Sequence, residues 1–125
     1  MSTHTHKLHD RKRVQLNKEI LEILRTVPYE KGFHFYTAHG SYTGETATSL
    51  HDFEMKIQVV LAGSINFHVQ RRDFQKWIKD AIGYTELAKR ISLIEPTRPA
   101  EDLRKELLTI VQTRITALKM ELPTI

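Results

Sequence analysis

From Leu103 to Leu122 the apolar side chains Leu103, Leu107, Ile110, Val111, Ile115, Leu118 and Leu122 recur at spacings of one to four residues. That period places them along one face of an α-helix of about five turns. Pro96 and Pro99 break the chain just before it, and Glu101 and Asp102 fall in the first turn, where the helix dipole favours acids. Lys105 follows Glu101 at the i, i+4 distance of a helical ion pair. A helix this long, apolar on one side only, must bury that side against other elements. The rest of the chain has to supply them.

Much of the supply is helical too. Val14, Leu16, Ile20, Leu21, Ile23 and Leu24 mark a helix over residues 10–26, with Asp10 as its cap and Pro28 as its stop. Thr48 or Ser49 reads as the cap of a helix over residues 49–61, inward at Leu50, Phe53, Ile57, Val60 and Leu61 and ended by Gly63. Ser64 opens a short segment carrying Ile65 and Phe67, and Asp73 reads as the cap of a helix running to Gly83. Thr85 opens a further short helix with Leu87, Ala88, Ile91 and Ile94 inward. Two stretches are not helical. Phe33 to Thr37 alternates like a strand for a few residues, and residues 40–48 read as a loop of small side chains. The expectation is an all-α fold: one domain over residues 10–125, about five helices with the terminal ones longest, one short extended segment near 33–37, and a flexible tail over 1–9.

The 125 residues contain no cysteine, which excludes disulfides, thiolate metal sites and cysteine nucleophiles together. With 40% hydrophobic and 27% charged residues the chain is globular by composition. No apolar run reaches the length of a membrane span, and the first residues lack an apolar signal core, so a cytoplasmic protein with no membrane partner is expected. The net charge is +4. Residues 1–32 hold a surplus of three positive charges and residues 33–63 a deficit of two. The dense points are Arg11-Lys12-Arg13 and Arg71-Arg72, too few for a nucleic-acid expectation on charge alone.

A run of matches lies between Phe35 and Ala88. Its first blocks are Phe35-Tyr36, Ala38, Gly40, Thr43-Gly44, Ala47, Ser49-Leu50 and Phe53. Its second are Ser64-Ile65, Phe67-His68, Arg71, Asp73-Phe74, Trp77-Ile78, Gly83 and Leu87-Ala88. The pattern Ser-Ile-x-Phe-His-x-x-Arg-x-Asp-Phe-x-x-Trp-Ile resembles that of an uncharacterised prokaryotic domain family, frequent in archaea, whose function is unknown. Members of that family occur alone and fused to sugar-handling enzymes such as glycosyltransferases, so the resemblance implies an accessory role; it supplies no established activity, ligand or catalytic residue. Arg72 stands where many of those relatives carry glycine.

Several groups of side chains could carry function, and each has a plainer reading. His68, Arg71, Arg72 and Trp77, joined by Tyr36 and His39, would make a pocket for a small anion or sugar phosphate: guanidinium for charge, imidazole for hydrogen bonds, indole for stacking. The plainer reading has Asp73 capping a helix, Arg71 paired with a local acid and Trp77 in the core. The loop Gly40-Ser41-Tyr42-Thr43-Gly44 could offer backbone N–H groups to a phosphate, or its glycines serve turns. His34, His39, His51 and His68 with Glu45, Asp52 and Asp73 complete no metal or acid–base motif, so no cofactor is expected. If Met1 is removed, Ser2-Thr3-His4 forms a four-nitrogen site for Cu(II) or Ni(II), with His6 and His9 nearby.

The function expected is a non-catalytic protein-interaction or regulatory module, acting on a partner protein or by self-association of its long terminal helices, with a homodimer in view. The alternative is a domain binding a small anionic or sugar-phosphate molecule. Non-specific nucleic-acid binding comes third.

Overall fold

The computed structural model describes residues 3–122, with side chains from Arg11 onward. Helix α1 (Thr3–Ile23) leads into a single 3-10 turn at Tyr29–Lys31 and a β-hairpin of β1 (Phe33–Tyr36) and β2 (Tyr42–Ala47). Four helices follow: α2 (Leu50–Ile57), α3 (Ala62–Arg71), α4 (Asp73–Trp77) and α5 (Thr85–Ile91). Between α4 and α5 lies a π-helical turn at Ile78–Ile82. The long helix α6 (Ala100–Glu121) closes the chain.

The all-α expectation is therefore corrected. The protein is mostly helical but mixed, because β1 pairs with β2 in a two-stranded antiparallel sheet. The stretch expected as a loop is the second strand. Its alternation is hidden because the register slips: His34 faces Thr46, but Tyr36 already faces Tyr42, so Thr43, Gly44 and Glu45 together oppose Phe35. Gly44 sits in this bulge at φ +89°, and Gly40 makes the hairpin turn at φ +76°.

The hairpin belongs to the core. Phe33 and Phe35 point inward and meet Phe53 of α2 and Phe74 and Trp77 of α4, with Phe33 5.0 Å from Phe74 and Phe53 5.4 Å from Trp77 between ring centroids. Aromatic pairs at such spacings add to the area they bury. Against this cluster α6 lays Leu103, Leu107, Val111, Ile115 and Leu118, all buried. Arg104 of α6 donates to the carbonyl of Ile57 at 2.8 Å, tying α6 to the end of α2. Its other partner is Glu101, one turn back, so Glu101 pairs with Arg104 where the sequence suggested Lys105.

Other boundaries shift for local reasons. α1 opens upstream of Asp10, which lies inside the helix. Of its expected stripe only Ile20 is fully buried; Val14 and Leu16 are exposed ahead of it, and Leu21 is exposed beside it while Ile23 and Leu24 pack partly on the core. α2 stops at Ile57, leaving Leu61 exposed, and Gly63 lies in the first turn of α3. Arg25 donates to the carbonyls of Ala81 (2.9 Å) and Ile82 (3.1 Å), satisfying acceptors that the π turn leaves open. Among the described residues no helix is long and apolar enough to cross a membrane.

Candidate functional site

A cleft of about 440 Å³ opens where the hairpin meets α3. Tyr36 and His39 line one side, and Phe67, His68, Arg71 and Asp73 the other. That volume lies in the range of small-molecule sites. Sequence spacing alone explains half of this meeting. Phe67, His68 and Arg71 share one side of α3 at i, i+1 and i+4. Tyr36 and His39 arrive only through the fold.

His68 is the hinge of the arrangement. The bulge takes the backbone of β1 out of its ladder, and the freed groups find side chains. The hydroxyl of Thr43 donates to the Phe35 carbonyl at 2.8 Å, and the Tyr36 N–H donates to His68 Nε2 at 2.8 Å. Because Nε2 accepts, the ring proton sits on Nδ1, which donates to Asp73 Oδ2 at 2.8 Å. The imidazole is 4% exposed and packs edge-on against Phe33. Burial pushes its pKa below the ordinary value of 6.5, outweighing the pull of Asp73 in the other direction. His68 is thus neutral and has no free ring nitrogen.

Asp73 carries the arrangement to the rim. Its Oδ2 also accepts from Arg71 Nε at 3.0 Å. Arg71 Nη1 in turn donates to His39 Nε2 at 3.2 Å, while the guanidinium lies 5.2 Å from the centre of the Phe67 ring. Arg71 stays 45% exposed, with Nη2 unengaged among the described residues. The guanidinium is held from three directions and still faces solvent.

The other expected residues fall elsewhere. Trp77 is buried; its indole N–H donates to the Lys31 carbonyl at 2.8 Å, and it does not line the cleft. Arg72 turns away at the junction of α3 and α4, in the left-handed conformation at φ 63°. Asp73 does not cap α4: Arg72 holds the N-cap position, Asp73 is the first helical residue, and its Oδ2 accepts from His68 and Arg71. Ser49 does cap α2: its Oγ accepts from Asp52 N–H at 3.0 Å, and Asp52 returns a bond to Thr48 N–H. The glycine loop does not lead into a helix, since β2 intervenes. His34 bonds Thr46 across the hairpin, and Glu45 pairs with Lys56. Among the described residues no three His, Asp or Glu side chains gather as a metal centre. His4 lies outside the residues whose side chains are described. Tyr84 was not singled out from sequence; it is buried and accepts from Arg114 Nε at 3.0 Å, a contact across two helices that spacing does not reveal.

The model of a family of unknown function (DUF5752) matches residues 70–123, from the last turn of α3 to just beyond α6. The match supports an uncharacterised domain. It takes in Arg71, Arg72, Asp73 and Trp77 and begins after His68 and the hairpin. No curated protein and no solved structure matches the chain.

Proposed function

We propose that this protein is a non-catalytic binding domain that holds a small anion, a carboxylate or the phosphate of a sugar phosphate, in the cleft between β1 and α3. The observation that carries the reading is Arg71. Its Nε is fixed by Asp73, its Nη1 by His39 and its plane by Phe67, so the remaining N–H donors meet an incoming oxyanion without further ordering. Tyr36 and His39 add polar partners, and the Phe67 ring adds an apolar face beside them. A binding role fits better than acid–base chemistry, because the buried imidazole of His68 has both nitrogens committed. A thermal-shift screen with phosphate, short carboxylates and sugar phosphates tests this. An upward shift that vanishes in Arg71→Gln supports the reading, and the absence of any shift counts against it.

A second reading, an interaction module that associates with a protein partner or with itself, rests on different residues. Met55, Val59 and Leu61 are 52%, 73% and 66% exposed around the end of α2, and Val14 and Leu21 stand out on α1. Neighbouring apolar groups of this size mark contact surfaces. Light scattering across a concentration series tests it: a mass that stays monomeric removes self-association.

A further inference from the structure

Beyond Arg71 a further concavity, about 460 Å³, runs between α4 with its π turn and α5. We propose that this groove binds the phosphodiester backbone of a nucleic acid; it meets the anion cleft at Arg71 alone. Arg71, Arg72, Lys76, Lys79 and Lys89 line it, with Asp80 the single acid. Their surplus of positive charge equals that of the entire chain, +4. Arg71 is already paired with Asp73, so Arg72, Lys76, Lys79 and Lys89 are the cations this groove offers.

The gathering has a simple origin. Arg72, Lys76 and Lys79 fall at i, i+4 and i+7, a row of about 10 Å along one helical side. The turn at Arg72 starts the row, and Lys89 of α5 faces it across the groove. Among the described residues none of Arg72, Lys76, Lys79 and Lys89 takes part in an ion pair. With Asp80 the one acid among them they repel one another, and a polyanion removes that repulsion. By contrast Arg11, Lys12 and Arg13 are consecutive on α1 and radiate around it, so they do not converge.

The shape selects among anionic partners. A flat bilayer does not enter a groove, and lysines without an aromatic anchor are poor hot spots for a protein interface. A chain of phosphates meets both conditions. No aromatic side chain lines the groove, so bases neither stack nor are read, and binding is independent of sequence.

The test is fluorescence anisotropy of a mixed-sequence single-stranded RNA and of a duplex DNA, titrated with the full chain over a range of salt. With four unpaired cations engaged, log K against log salt should fall with a slope of about −3 for the single strand. Lys76→Glu, Lys79→Glu and Lys89→Glu together should weaken binding by tenfold or more, since each removes a phosphate contact and adds a repulsion, on the order of the loss expected from the salt term. All three are exposed, so circular dichroism should show the variant folded. Arg11→Glu, Lys12→Glu and Arg13→Glu together should bind like wild type. The arms separate single strand from duplex as the backbone preferred. A slope near zero, equal binding by wild type and the groove variant, or binding to phosphatidylserine vesicles without binding to either oligonucleotide overturns the proposal.

Discussion

The imidazole of His68 accepts the backbone N–H of Tyr36 at 2.8 Å, and this bond joins α3 to the irregular edge of β1. The site on the rim depends on it, since the other ring nitrogen orients Asp73 and Asp73 orients Arg71.

Replacing His68 with Phe keeps the ring's bulk and removes both bonds. The Tyr36 N–H is then buried without an acceptor, which costs roughly 2–3 kcal/mol. Urea denaturation should show a lower midpoint with an unchanged slope.

Acidification acts through the same residue. The folded-state pKa of His68 is lowered from 6.5, so below that value the unfolded chain takes up a proton that the folded chain refuses. Its contribution is fully present above pH 6.5 and is lost as pH falls through the lower folded value. Stability measured stepwise from pH 7.5 downward should decline more steeply in wild type than in His68→Gln; parallel curves would disprove the assignment.

Gly32 is required by space, not by its dihedral angle. A Cβ there would lie 2.8 Å from the Ala47 carbonyl oxygen and 2.9 Å from Thr46 Cγ2. Backbone at that distance cannot step aside, so Gly32→Ala should destabilise by about 1–3 kcal/mol, visible in thermal unfolding.

Arg72 presents the opposite case. It holds φ 63°, a conformation that costs a side-chain-bearing residue about 1 kcal/mol. Arg72→Gly should therefore raise the melting temperature by a few degrees while slightly weakening polyanion binding in the groove.

These positions also show what the sequence makes legible. The stripe of α6 and the cap at Ser49 are local: each depends on residues within a few positions, so spacing finds them. Strand β2 escapes because three of its residues oppose one on β1, which destroys the two-residue period that marks a strand. Asp73 has the type of a cap but falls one position inside α4, and its Oδ2 accepts from His68 and Arg71, the former held in place by its bond to β1. The basic groove is hidden for a similar reason. Arg72, Lys76, Lys79 and Lys89 lie among Asp73, Asp80 and Glu86 in sequence, and the packing of α4 on α5 brings the four cations together with Asp80 alone of these acids.

The most direct test of the anion cleft is a titration of the 15N-labelled protein with inorganic phosphate and with a sugar phosphate, followed by amide and arginine Nε–H shifts. Saturable shifts are expected at Tyr36, His39, Gly40 and the Arg71 side chain, lost in Arg71→Gln. Shifts confined to Lys76, Lys79 and Lys89, or no saturable shift at all, would contradict it.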